Sequence, residues 1–207
     1  MLKLLFTRHG QTIRNVDNII QGNDHCDLNE KGLEQIKKLV QRLKKENLNI
    51  IFSSDSPRCK VTAEEVSKDK NIPIEYSVLL REKDNGEWVG KNHKEVNWDE
   101  LEGDFETRKV PNGENLVEVR ERGRKFIDYL TEKYKDKTIL VVSHGAFLKV
   151  LIGDLINTSL KDSIHKLFID HCSLTLIEFG EKYPEGFQIK FLNETEFLGD
   201  SRNWIIQ

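Results

Sequence analysis

Apolar residues in this chain follow two rhythms. Short continuous runs at Leu2–Phe6, Ile50–Phe52 and Ile139–Val142 have the length and composition of strands buried on both faces. Ile74–Leu80 and Leu174–Phe179 read as further strands. A last one, Phe187–Leu192, follows the turn-like Tyr183-Pro184-Glu185-Gly186. Between the runs the spacing is helical. Leu33, Ile36, Val40 and Leu43 recur on one face after Asn29, a candidate N-cap. Ser56-Pro57 pairs a cap with a proline at the first helical position, which puts Arg58 in the first turn of the next helix. Leu116, Val119, Phe126 and Leu130 mark a longer helix, and Leu148, Leu151, Ile152 and Leu155 another. Strands alternating with helices predict an α/β fold, a three-layer α/β/α sandwich around a mainly parallel mixed sheet. The final two strands add an antiparallel pair. Residues 90–111 are polar, anchored by Trp98, Leu101 and Phe105, and predict a small cap excursion from a single domain spanning 1–207.

Composition narrows the partners. A formal charge of −3 and a pI near 6.1 give no electrostatic case for nucleic acid or an anionic membrane. Charged residues make up 32% of the chain, and no apolar stretch is long enough to span a bilayer. Leu4-Leu5-Phe6 is too short for the apolar region of a signal peptide. Cys26, Cys59 and Cys172 lack the C-x-x-C spacing of a metal or redox pair, so they read as free thiols in a reducing cytoplasm. Monomer and homodimer are both compatible with this composition.

Any anion site must therefore be local, and one is visible. Arg8-His9-Gly10 follows the first apolar run, Arg58 opens a helix after the second, and Ser143-His144-Gly145 follows the run at 139–142. All stand at strand-to-helix junctions, on the sheet edge where open α/β folds bind ligands. Two guanidiniums and two imidazoles together demand an anion, and a phosphoryl group suits the forked donors of arginine. A neutral His9 is competent to attack phosphorus through one ring nitrogen while the other donates to a backbone carbonyl. A protonated His144 would act as the cationic partner. Glu82, at the end of the pattern Ile74, Tyr76, Val78, Leu80, reaches the same edge as a general acid, with Asp84 as its weaker rival. His25, His93, His165 and His171 read as ordinary core or surface residues.

In order along the chain stand Thr7-Arg8-His9-Gly10-Gln11-Thr12 with Asn15 and Gln21-Gly22, then Ser53-Ser54-Asp55-Ser56-Pro57-Arg58 with Thr62-Ala63. Leu80-Arg81-Glu82 with Gly86-Glu87-Trp88-Val89-Gly90 follows, then Pro111-Asn112-Gly113-Glu114 and Ser143-His144-Gly145. This series resembles the histidine phosphatase superfamily, in its phosphoglycerate-mutase-like branch, over nearly the whole length. The resemblance implies a phosphohistidine on His9 and phosphoryl oxygens held by Arg8, Arg58 and His144. It further implies a proton from Glu82, with Asn15, Gln21, Gly22 and Gly145 in the binding pocket, and no metal or cofactor. His25, Asn29, Val89 and Asn115 depart from the usual residues of relatives, mostly around the rim, where substrate identity is set.

The expected activity is a metal-independent phosphomonoesterase acting on a small phosphorylated metabolite. The alternative is a cofactor-dependent phosphoglycerate mutase, which needs a more closed site; the segment 90–111 is short for that role. An inactive binding protein of the same fold is disfavoured because every central group is present. A hydrolytic metal held by His9 and His144 is disfavoured by the neighbouring arginines and by the lack of an H-x-H or H-x-x-E-H pattern.

Overall fold

Twelve elements build the fold, in the computed structural model that describes residues 1–23 and 26–202. His25 and the tail Trp204-Ile205-Ile206 lie outside the described residues. In chain order they are β1 (Leu2–Arg8), α1 (Ile13–Val16), α2 (Glu30–Leu43), β2 (Ile50–Ser53), α3 (Pro57–Lys70), β3 (Ile74–Tyr76), α4 (Leu116–Lys133), β4 (Thr138–Ser143), α5 (Gly145–Leu155), α6 (Leu160–Lys166), β5 (Leu174–Phe179) and β6 (Phe187–Glu194). One six-stranded sheet runs in the order β3-β2-β4-β1-β5-β6. Its first four strands are parallel, whereas β5 pairs antiparallel with both β1 and β6.

Alternate residues of the central strands supply two separate cores. Leu4, Phe6, Phe52, Ile139 and Val141 face α4, α5 and α6, where Val119, Phe126, Phe147 and Leu151 are buried against them. Leu5, Ile51, Leu140 and Val142 face the other way, toward Ile36, Leu39 and Leu43 of α2 and Cys59, Ala63 and Val66 of α3. Period-two alternation with apolar residues at both phases is what a strand buried on both faces requires. The expected three-layer sandwich is therefore the observed one.

Three expectations shift in detail. The strand read over 74–80 stops at Tyr76, because its partner β2 ends at Ser53, opposite Tyr76, and the ladder has nothing further to pair with. Ser77 then caps a 3-10 turn, Val78–Leu80, which exposes Val78 and buries Leu80. On α2 the buried stripe is Ile36, Leu39 and Leu43, while Leu33 lies on the flank and is 46% exposed. Asn29 does cap that helix, its side chain accepting from Gly32 N. Ser56 stands at the N-cap of α3 but its hydroxyl makes no capping bond; it turns inward instead.

Residues 90–111 contain two 3-10 turns, His93–Glu95 and Trp98–Glu100. The segment is stitched to the body at both ends, by Gly90 N donating to Ile20 O and Glu87 N donating to Pro111 O. Trp98 packs edge-on against Trp88 at 4.8 Å, and Phe105 reaches the α4–α5 core. Among the described residues no helix is long and apolar enough to cross a membrane.

Candidate active site

The carboxyl ends of β1, β2 and β4 lie side by side, so the residues that leave them converge. Arg8 is in register with Ser143, and Ser53 with Val142, which brings 8–9, 54–58 and 143–145 to one crevice. Thr62 of α3 ties the first two together: its hydroxyl accepts from Gly10 N and donates to Arg58 O.

His9 is 2% exposed, and its ring orientation is set at both nitrogens. Nε2 accepts from Arg58 Nε at 3.2 Å, so the ring proton resides on Nδ1, which donates to Gly10 O at 2.8 Å. Burial, then the positive charges of Arg58 and Arg8, hold its pKa well below the usual histidine range. The ring is thus a neutral imidazole with Nε2 as its nucleophilic atom.

His144 stands behind it, fully buried, the two ring centroids 5.2 Å apart. Its Nδ1 accepts from Arg58 Nη2 at 3.1 Å and its Nε2 donates to Ser54 Oγ at 2.9 Å. Burial, Arg58 and His9 all push its pKa down. In this geometry His144 is therefore neutral, in contrast to the cationic partner expected from sequence. A buried imidazole beside a guanidinium gains nothing from a second positive charge unless an anion offsets both.

Arg58 links the cluster. It is 2% exposed and donates to His9, to His144 and, through Nη2, to Gly22 O at 3.0 Å. Its Nη1 and the Nε of Arg8 are buried with no hydrogen-bond partner among the described residues. Arg8 donates through Nη1 to Ile169 O, and burial lowers its pKa. A Cβ on Gly145 would stand 3.1 Å from Arg8 Cζ, so the small residue is what admits the guanidinium there. Buried, incompletely paired guanidinium donors are poorly stabilised unless an anion meets them, and a phosphoryl group matches their geometry.

Glu82 reaches the crevice from a clamped loop. Its carboxylate accepts from Phe147 N at 2.9 Å and Ala146 N at 3.2 Å, the first free amides of α5. Arg81 pairs through both guanidinium arms with Asp55 of the β2–α3 connection. From the other side, Arg122 of α4 donates to Leu79 O and Glu82 O and forms a two-armed pair with Glu114. Gly86, at φ 47°, lets the chain lie directly on Pro111, where a Cβ would clash with the carbonyl oxygen. Asp84, the rival acid, is used in this turn: its side chain accepts from Gly86 N, and it does not line the crevice.

Above these groups lies a cavity of about 560 Å³, lined by Arg8, His9, Asn15, Gln21, Arg58 and Glu82 at its floor. Asn15 Oδ1 accepts from Thr12 N, Thr12 Oγ1 and His171 Nε2, which leaves its amide N–H groups to face a ligand. Gln21 Oε1 lies 3.1 Å from the same Thr12 hydroxyl and shares its one proton with Asn15. His144, Gly22 and Gly145 are not on the cavity wall; they hold the residues that are. Sequence reasoning passed over several others. His93 and His165 line the upper wall with Lys83, Trp98, Phe105 and Arg108. His171 packs edge-on to His9 at 5.6 Å. No spacing rule marks such residues, because separate elements deliver them. Among the described residues no three His, Cys, Asp or Glu side chains form a metal cage.

The sequence profile of the histidine phosphatase superfamily, branch 1, matches residues 4–195. The chain is 30% identical over 189 residues to phosphoserine phosphatase 1 of Hydrogenobacter thermophilus, covering 88% of this chain and 89% of that one. Among solved structures it is similar to YhfR of Bacillus stearothermophilus, with a TM-score of 0.87 and 28% identity over 96% of this chain and 100% of the other. A phosphoserine phosphatase mutant from Entamoeba histolytica, solved in complex with phosphoserine, gives a TM-score of 0.83 and 27% identity, with 96% and 100% coverage. The fold, the order of motifs and the matched profile together make this chain a member of the histidine phosphatase superfamily, branch 1.

Proposed function

We propose that the protein is a metal-independent phosphomonoesterase of small phosphorylated metabolites, acting in the cytoplasm as a single domain with residues 90–111 as its cap. One observation carries the reading: His9 is buried as a neutral imidazole whose Nδ1 proton is committed to Gly10 O. Its Nε2 lone pair attacks phosphorus and the bond to the substrate's alcohol oxygen breaks. Glu82 gives that oxygen a proton, and Arg8, Arg58 and the Asn15 amide hold the phosphoryl oxygens. Water then attacks the phosphohistidine, Glu82 takes its proton, and the P–N bond breaks to release phosphate and neutral His9. The phosphatase names of the relatives and the phosphoserine held by the Entamoeba protein support this class of substrate.

His9→Ala should abolish hydrolysis of p-nitrophenyl phosphate while leaving the circular dichroism spectrum unchanged. Wild-type protein quenched without acid should carry phosphate on His9 by mass spectrometry, and its turnover should persist in excess chelator. A phosphoryl group on another residue, or undiminished activity in the variant, would sink the assignment. A mutase uses the same nucleophile; transfer between the oxygens of phosphoglycerate outpacing release of phosphate would favour that reading instead.

A further inference from the structure

A second cavity, of about 320 Å³, adjoins the first and shares Arg8 and Asn15 with it. Its own wall adds Arg14 of α1, Lys149 of α5 and Asp170, which precedes β5. Lys149 lies four residues beyond Gly145, on the same face of α5, and Gly145 is the residue that packs on the Arg8 guanidinium. Two cations from different elements are thus delivered to one wall. Lys149 is half-buried, and Ile164 O, at 3.0 Å, is the one acceptor that meets its ammonium among the described residues. The Arg8 side chain donates to Ile169 O, and neither cation forms an ion pair among the described residues. Burial and the nearby Arg8 both lower the Lys149 pKa, against the pull of Glu82. Asp170 is the one carboxylate on this wall; its Oδ2 accepts from Asn193 Nδ2, and burial raises its pKa. Like charges brought together away from water are poorly stabilised unless an anion joins them.

The reaction says which anion is at hand. Trp98, Phe105 and Leu116, which suit the carbon skeleton of an alcohol, line the first cavity and not the second. An alcohol gains nothing from a cationic wall, whereas an oxyanion is drawn to it. Hydrolysis of the phosphohistidine frees inorganic phosphate beside Arg8 and Asn15, which face both cavities. Resting on the phosphatase reading, we propose that the second cavity is a separate binding site for inorganic phosphate, which Arg8 hands on from the phosphoryl site to Lys149 and Arg14. Phosphate then leaves between α1 and α5 while the first cavity is open to the next substrate.

Inhibition by the product provides one test. Phosphate bound only at the nucleophile competes with substrate and raises KM alone. A second site admits phosphate and substrate together, so in the wild type phosphate should also lower kcat for p-nitrophenyl phosphate. In Lys149→Gln, and in Arg14→Gln, that effect on kcat should weaken about tenfold in phosphate concentration, as loss of a charge-assisted hydrogen bond implies, while the effect on KM stays. Calorimetry provides the other test. With the phosphoryl site filled by vanadate and ionic strength held constant, the wild-type protein should bind one further phosphate, and Lys149→Gln should bind it about tenfold more weakly. Purely competitive inhibition of the wild type, no phosphate bound beside vanadate, or binding that neither substitution alters would overturn the assignment. A protein that fails to bind vanadate and to turn over substrate would count against the phosphatase reading instead. Phosphate titrated into the free protein would then still report the second site, through its dependence on Lys149.

Discussion

Two forces act on His9 with the same sign. Burial disfavours the imidazolium, and Arg58 and Arg8 repel it. Attack on phosphorus needs the neutral ring, so a lowered pKa keeps the nucleophile competent in mildly acidic solution, and the acid limb of kcat/KM should fall below the ordinary histidine pKa of about 6.5. Arg58→Gln removes the stronger of the two repulsions, so the His9 pKa should move up toward that value. Following the His9 Cε1 proton by NMR across pH 4–8 checks this, and an unmoved or lower midpoint in the variant would show that Arg58 does not set it. At this scale the sequence was informative about identity and silent about state. Arg8, His9, Arg58 and His144 are legible because each directly follows, or caps, a recognisable element. That Arg58 reaches three acceptors at once, leaving His144 neutral, depends on side-chain packing that no local pattern encodes.

The loop that carries Glu82 is fixed by its neighbours as well as by its own short turns. Asp55–Arg81 holds it to the β2–α3 connection, and Arg122–Glu114 holds it to α4. Arg122 donates to both Leu79 O and Glu82 O, an arrangement suited to positioning the proposed acid from outside the cavity. Glu82→Gln removes the proton donor; it should slow alkyl phosphates by about 10²-fold or more and p-nitrophenyl phosphate far less, since an aryl oxide departs with little protonation. Arg122→Met should show the same alkyl-over-aryl selectivity at smaller amplitude. Measuring kcat/KM for both variants on p-nitrophenyl phosphate and on glycerol 3-phosphate decides the matter: equal losses on the two substrates would mean that the clamp supports phosphate binding and not proton delivery. The sequence pattern carried Glu82 to the sheet edge as the end of a strand. It arrives instead through a 3-10 turn, because β2 ends and the ladder with it.

Three imidazoles, His9, His144 and His171, are buried and held neutral, each with its pKa pushed well down by desolvation and then by arginine. An unfolded chain takes up protons at these positions near pH 6.5, while the folded one does so only at lower pH. Between those limits the unfolded state binds more protons, so stability rises with pH and is lost as pH falls, by up to about 1.4 kcal/mol per pH unit for each group. Urea midpoints should therefore drop from pH 7 to pH 5, and an oxyanion such as vanadate, binding the folded site, should offset part of the loss. Midpoints that stay flat or rise on acidification would contradict three neutral buried rings. For the molecule as a whole, the sequence by itself determined the alternation of strands and helices, the sandwich with its antiparallel edge pair, and the motif order that marks the family, because these follow from periodicity and from residues adjacent in the chain. Only the tertiary structure decided what stands opposite what. Lys83 facing Trp98, His171 against His9, and the cap residues Phe105 and His165 on the cavity wall are brought together by sheet order and helix crossing, contacts between residues far apart in the chain that no local spacing records.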